Sequence, residues 1–343
     1  MERRKFMATI GAGIGAARAS QIIRHPAKES PRRPKQLKPG STIGLITPAS
    51  GVDDTSALKK VEDMIKYFGW RAKWGKNVGK QSPYYDTINK RLDDLHAMFR
   101  DPEVDAVFTV AGGYGSSQLL DSIDYDLIRK NPKVFLGYSD ITALHLAINK
   151  MCDLVTFHGP VALSISTPYT ARHFLKALSN VEPIGLVTNP PDGENKSGPN
   201  HKLRAIRAGS ASGRLVGGNL ALVSSLIGTR YEIDTRGAIL FLEEIDERTY
   251  QIDRMLTQLR RAGKFDQAAG IIIGEFVDCD PLDHNWFRSL DEVLDNNLGG
   301  LKIPVLYGLT IGHTNDQLTL PLGVMATLDA DAGALEITEN CVR

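Results

Sequence analysis

Nucleophilic acyl transfer needs a hydroxyl or thiol, a base beside it, and an acid that holds the base in the right tautomer. This chain carries a serine, a histidine and a glutamate, each just after a run that reads as a strand. Gly137-Tyr-Ser-Asp140 follows the apolar run Val134-Phe-Leu136 and leads into a helical pattern. A serine on such a turn exposes its hydroxyl, and the N–H of the next residue, here Asp140, points the same way. Ser139 is equally suited to capping the helix that follows, and the tetrapeptide alone leaves both roles open. An α/β-hydrolase elbow requires glycine two places after the serine, where this chain has Ile141, so that class is excluded. For the base, His313 lies in the loop Leu309-Thr-Ile-Gly-His-Thr-Asn-Asp316, framed by glycine and small polar residues. It is a better candidate than His145, in mid-helix, or His158, at the end of an apolar run, although any of the three is as readily structural. For the acid, Glu243 directly follows the strand pattern Ala238–Leu242, and Glu244 points to the opposite side if the strand continues. Asp246 and Glu247 read as first-turn acids of the next helix. The Gly-rich turn Ala111-Gly-Gly-Tyr-Gly-Ser-Ser117 follows the run Ala106–Val110 and offers backbone N–H groups to an anion.

The elements that must hold these residues follow from periodicity. Short apolar runs at 43–46, 106–110 and 134–136 alternate with helical faces formed by Leu58, Val61, Met64, Ile65 and Phe68, by Leu119, Leu120 and Ile123, and by Ile141, Leu144, Leu146 and Ile148. This alternation predicts an α/β fold whose parallel sheet is covered on both faces, with ligands beyond the carboxyl ends of the strands. Prolines at 168, 183, 190, 191 and 199 and the polar stretch Asp192–Gly198 then break the rhythm. The expected organisation is an N-terminal α/β domain over 41–170, a crossing segment and loop over 171–211, and a C-terminal domain over 212–343. In the last, a helix over Leu220–Leu226, a strand at 238–242, a helix with Ile252, Met255, Leu256 and Leu259 on one face, and a strand at 270–273 precede antiparallel strands after Leu318.

With 42% hydrophobic and 24% charged residues among 343, the chain is a folded protein and not a disordered one. Its net charge of +1 is uneven: residues 1–40 carry ten Lys/Arg against Glu2 and Glu29, which leaves the body at −7 and disfavours nucleic acid as a partner. Three scattered cysteines, Cys152, Cys279 and Cys341, support neither a disulfide framework nor a zinc site. The start, with Arg3-Arg4, the small apolar run Ala8–Ala17 and Ala17-Arg-Ala19 before Ser20, has the layout of a twin-arginine export signal, followed by a basic linker to residue 40. The expected location is therefore the periplasm or beyond; a disordered basic tail on a cytoplasmic enzyme is the alternative. Gly11-Ala-Gly-Ile-Gly15 lacks the preceding strand and following acid of a dinucleotide site.

Taken in order, eight segments resemble the LD-carboxypeptidase family of serine peptidases, which also contains the microcin C immunity hydrolases. They are Gly112-Gly-Tyr-Gly115, Asp124-Tyr-Asp-Leu-Ile128, Gly137-Tyr-Ser-Asp-Ile-Thr-Ala-Leu144, Thr156-Phe-His-Gly-Pro160, Gly217-Gly-Asn-Leu220, Leu240-Phe-Leu-Glu243, Tyr250-Gln-Ile-Asp-Arg-Met-Leu256, and Gly312-His313 with Leu318-Thr-Leu-Pro-Leu-Gly323. The resemblance implies a glutamine-amidotransferase-like N-terminal domain, a β-rich α+β C-terminal domain and a site in the cleft between them. It implies Ser139 as nucleophile, His313 as base, Glu243 as its orienting acid, and the Gly113 and Asp140 N–H groups as oxyanion donors. No metal or organic cofactor is implied; a homodimer is, and the reaction is removal of the terminal D-alanine from a peptidoglycan stem peptide. Glu244 stands where an Asp is usual in the family. A microcin-type activity calls for tryptophan in the loop before the second domain, whereas Trp70, Trp74 and Trp286 all lie elsewhere and only Tyr169 and Phe174 are available there. A non-catalytic peptide-binding protein is disfavoured because all three triad positions are filled.

Overall fold

The computed structural model describes residues 30–79, 87–165, 167–190, 203–280 and 288–343. The expected export signal, the polar stretch Asp192–Gly198 and Trp286 lie outside the described residues. In chain order the strands are β1 (Thr42–Ile46), β2 (Arg71–Trp74), β3 (Ala106–Thr109), β4 (Val134–Gly137), β5 (Thr156–His158), β6 (Gly185–Val187), β7 (Arg204–Arg207), β8 (Ser210–Asn219), β9 (Ile239–Ile245), β10 (Gly270–Val277), β11 (Val305–Tyr307), β12 (Leu320–Leu322), β13 (Met325–Asp329) and β14 (Ala334–Ile337). The α-helices are α1 (Thr55–Tyr67), α2 (Ile88–Arg100), α3 (Tyr125–Lys130), α4 (Thr142–Cys152), α5 (Pro168–Ser179), α6 (Leu220–Ser225), α7 (Thr249–Arg261), α8 (Lys264–Gln267) and α9 (Leu290–Leu298).

Two sheets organise them. The first has the order β12-β5-β4-β3-β1-β2 and is parallel apart from β12. The runs TIGLI, AVFT and VFLG are buried at every position, which is why they read as continuous apolar stretches and not as alternating ones. The second sheet has the order β6-β14-β13-β8-β9-β10-β11-β7, with a parallel centre from β8 to β11 and antiparallel flanks. The expected α/β fold, with a parallel sheet followed by a second, β-rich part, is the observed one.

β12 comes from the far end of the chain yet pairs with β5 of the first sheet, and the apolar cores run through both halves. One cluster joins Leu144 and Ile148 of α4 to Leu220, Leu240 and Ile252. The other joins Phe108 and Phe157 to Phe241 and Ile272. Each buried phenylalanine contributes roughly 2–3 kcal/mol by its removal from water, so the floor of any site between the sheets is firmly held. Among the described residues no helix is long and apolar enough to cross a membrane.

Three local expectations need correction. Leu119 and Leu120 belong to a 3₁₀ stretch, Ser116–Ser122, and Ile123 follows it in extended conformation; Gly115 enters the stretch in the left-handed conformation and its first N–H is taken by Asp140. The segment 171–211, expected as a crossing segment and loop, holds most of α5 and the edge strands β6 and β7. Pro168 opens α5 after the Thr167 cap, at a position where a missing N–H costs nothing. Asp246 and Glu247 are not in a helix: Asp246 turns the chain with φ 57° as β9 ends, and α7 begins only after Arg248.

Candidate active site

Ser139 follows β4 directly and has φ 63°, a left-handed conformation that few non-glycine residues adopt. Strain of this kind persists only where the surroundings enforce it, and it tends to collect at functional positions. The helix after it takes no side-chain cap from Ser139, so the capping role left open by the sequence is not the one it plays. What enforces the turn is the carboxylate of Asp140, which accepts from the N–H groups of Ser116 at 2.7 Å and Gly115 at 3.3 Å. Burial pushes the Asp140 carboxyl above its ordinary range, opposed by those donors and by the nearby Arg91 guanidinium.

Arg91, on α2 and only 1% exposed, donates to the carbonyls of Pro48 at 3.0 Å and Gly115 at 2.9 Å, and to Gln118 Oε1 at 2.7 Å. It thereby ties the loops after β1 and β3 together. Sequence reasoning missed it, because a lone arginine in a helix reads as solvated surface. Ser50 was missed as well: its hydroxyl accepts from the Tyr114 N–H at 3.1 Å and fixes the tip of the Gly-rich turn. The two glycines there are needed for space. A Cβ on Gly112 would stand 3.1 Å from Ser139 Cβ, and one on Gly113, where φ is 102°, would stand 2.2 Å from Ser50 Oγ. The Gly113 and Asp140 backbones, expected to supply oxyanion donors, thus lie on loops that abut at Ser139.

Glu243 and His313 reach this place from the second sheet. The end of β8 abuts the start of α4, where the Asn219 N–H donates to Thr142 Oγ1 at 3.0 Å, and Glu243 is the register partner of Asn219 on β9. β10 has an irregularity between Ile273 and Phe276, opposite Glu243; there the Glu275 N–H donates to the Ile311 carbonyl at 3.1 Å and holds the 311–313 loop over the strand. His313 Nδ1–H donates to Glu243 Oε2 at 2.8 Å, since a carboxylate only accepts, and this leaves Nε2 as the basic nitrogen. Glu243 is fully buried and His313 is 13% exposed. Tyr138, the neighbour of Ser139, packs its ring 4.7 Å from the His313 ring. The structure therefore pairs Glu243 with His313 and sets the His313 ring against Tyr138, the residue before Ser139, at the carboxyl ends of β4 and β9.

Glu244 points the other way, as alternation along β9 requires. Its carboxylate accepts from Asn219 Nδ2 at 2.7 Å, the Ala221 N–H at 2.8 Å and the Ile245 N–H at 2.9 Å, and so fastens the start of α6. His145 is fully buried, its Nε2–H donating to the Gly137 carbonyl at 2.8 Å, and burial lowers its pKa to about 4. It supports β4 from below and is not a free base.

Gly312 carries a sharp test of this geometry. With φ 102°, a Cβ there would stand 2.3 Å from Glu243 Oε2, the atom that accepts the hydrogen bond from His313 Nδ1–H. Gly312→Ala is expected to lower the unfolding temperature by several degrees, through strain of about 1–2 kcal/mol, and to cut turnover at least ~100-fold by displacing the imidazole. Thermal unfolding and steady-state assays of the variant check both; unchanged turnover would show that the 311–313 loop plays no part in the chemistry.

Two family models match the chain: the LD-carboxypeptidase N-terminal domain over residues 43–159 and the LD-carboxypeptidase C-terminal domain over residues 212–328. The chain belongs to the LD-carboxypeptidase family. It is 40% identical over 307 residues to a protein of Bacillus subtilis named probable murein peptide carboxypeptidase, covering 87% of this chain and 91% of that one. A solved MccF-like protein from Bacillus anthracis superposes with a TM-score of 0.80 at 31% identity, covering 90% of this chain and 99% of the other. The muramoyltetrapeptide carboxypeptidase of Oxalobacter formigenes does so with a TM-score of 0.76 at 28% identity, covering 88% and 99%. Membership makes the chain a serine-type carboxypeptidase.

Proposed function

We propose that this enzyme hydrolyses the LD-peptide bond before the terminal D-alanine of peptidoglycan tetrapeptides, with Ser139, Glu243 and His313 as its catalytic triad. The observation that carries the reading is the 2.8 Å bond from His313 to the buried Glu243, beside a serine held in a left-handed turn. In this mechanism His313 Nε2 takes the Ser139 proton as Oγ attacks the scissile carbonyl. Glu243 keeps the proton on Nδ1 and stabilises the imidazolium as it forms. The N–H groups of Gly113 and Asp140 bind the oxyanion, each typically worth ~3 kcal/mol in the transition state. His313 then protonates the leaving amine, D-alanine departs, and water attacks the acyl-enzyme with the same imidazole as base.

MccF-like relatives make a microcin-type amide hydrolase the second reading. Stacking on a nucleobase needs an accessible aromatic ring in the segment before β8. The Tyr, Phe and Trp residues of positions 160–212 are Tyr169 and Phe174 alone, and both are buried on α5, at 4% and 0% exposure. This favours the carboxypeptidase reading.

Product analysis by mass spectrometry after incubation with tri-, tetra- and pentapeptide muropeptides tests it. The tetrapeptide is expected to lose one alanine while the tripeptide stays intact. Cleavage of an aminoacyl sulfamoyl adenosine with the tetrapeptide untouched would overturn the proposal in favour of the second reading.

A further inference from the structure

Glu243 has two carboxylate oxygens, and the triad uses one. Oε2 accepts the hydrogen bond from His313 Nδ1–H; Oε1 is buried with no hydrogen-bond partner among the described residues. Leaving a buried carboxylate oxygen unpaired is expensive, more so for an ionised group than for a neutral one. A candidate donor is His158, at the end of β5, whose Nε2 lies 3.9 Å from Glu243 Oε1. His158 is itself fully buried, and neither of its ring nitrogens has a hydrogen-bond partner among the described residues. Two unsatisfied groups, one able to donate and one only to accept, thus face each other just beyond hydrogen-bond length. Catalytic hydrogen bonds are often long in unliganded enzymes and tighten when substrate binds.

We propose that His158 is a positioning residue: its Nε2–H donates to Glu243 Oε1, so that the acid of the triad is clamped between two imidazoles. The proposal rests on the triad reading above and goes beyond it. For the clamp to work His158 must stay neutral, because a cation would compete with the developing His313 imidazolium for the carboxylate. Burial depresses its basicity well below that of an ordinary histidine, and the neighbouring His145 and His313 add to this. The groups facing it are Glu243 on β9, His313 in the loop after β11, His145 on α4, its ring 6.2 Å away, and Tyr138 after β4, also at 6.2 Å. The Phe241 ring, 5.1 Å away, packs its flank. Glu243 is the one carboxylate within this group, and its free Oε1 gives Nε2–H a reason to point where it does.

The test uses the rate at which a fluorophosphonate probe modifies Ser139, which does not depend on the identity of the natural substrate. In His158→Phe, which fits an apolar pocket of similar volume, the maximal inactivation rate is expected to fall roughly 10- to 100-fold, as loss of one hydrogen bond to a charged group implies, with the probe's half-saturation unchanged. The acidic limb of the rate against pH is expected to move to higher pH by about one unit, because a carboxylate that loses a donor on Oε1 keeps more charge on Oε2 and holds the His313 imidazolium, the inactive form of the base, more tightly. His158→Gln sets an amide N–H near the position of Nε2 and is expected to restore the rate to within a few-fold and the limb to its wild-type position. His158→Asn, whose shorter amide cannot reach Oε1, is expected to behave like Phe. A folded His158→Phe variant with wild-type rate and pH profile would overturn the proposal, as would Gln and Phe variants that are equally impaired. Labelling of Ser139→Ala by the same probe would instead remove the triad reading itself, so the two failures are distinguishable.

Discussion

Ser139→Ala is expected to abolish labelling by a fluorophosphonate probe and to lower turnover by about four to six orders of magnitude, the scale on which triad members act as a unit. His313→Ala is expected to cost a similar amount, and the double variant little more, because the nucleophile is useless without its base. Alanine is the right replacement since it keeps the Cβ that Gly112 packs against, 3.1 Å from where a glycine Cβ would stand, and it tolerates the φ of 63° no worse than serine does. Unfolding temperature should therefore stay close to that of the wild type. Ser139→Gly supplies the contrast: it also loses activity, yet it releases the left-handed strain, which costs about 1–2 kcal/mol per residue, and is expected to unfold no earlier than wild type. Mass spectrometry of the labelled peptide, with thermal scans of both variants, reads all of this at once. Probe adducts persisting in Ser139→Ala would assign the nucleophile to another residue.

The residues that meet at this site were legible because each sits where a parallel sheet exposes its strand ends. Ser139 follows β4, Glu243 lies near the end of β9, and His313 lies in the loop beyond β11, so residue type and position relative to an apolar run made them candidates, and the family resemblance singled them out among the alternatives. The strands themselves were legible for the same reason: runs such as TIGLI and ILFLEEI are buried almost throughout, and burial on both faces leaves a mark in composition. The supports were not legible. Arg91, Ser50 and His158 act on residues 24 to 85 positions away, with no periodicity to announce them. His158 in particular read as the end of a strand, which it is, and only the fold reveals that this end faces Glu243. The helix α5 was hidden by the prolines around it, because Pro168 breaks a rhythm when read along the chain and starts a helix when seen in place.

Glu243→Gln should lower turnover by about 10³- to 10⁴-fold while Glu244→Gln leaves it within a few-fold of wild type. Glu243 can only accept from His313 Nδ1, whereas a glutamine amide can turn its NH₂ toward that nitrogen and hold the imidazole in the wrong tautomer. Glu244 faces away, and its effect belongs to stability. Burial, aided by the charge on Glu243 and opposed by the donors Ile245, Asn219 and Ala221, raises its pKa from 4.5 to about 7. Between those values the folded protein keeps a proton that the unfolded chain releases. The contribution is therefore complete below about pH 4.5 and is lost as pH rises through about 7, a change of up to roughly 3 kcal/mol. Glutamine does not titrate, so the stability of Glu244→Gln relative to wild type is expected to improve steadily from pH 4.5 to pH 8, starting from a deficit due to the acceptor lost to one of the three donors. Urea unfolding of both proteins at a series of pH values, with turnover measured on the same samples, separates the two acids. A flat stability difference would mean that Glu244 is ionised throughout, and turnover crippled by Glu244→Gln but spared by Glu243→Gln would hand the triad role to the other carboxylate.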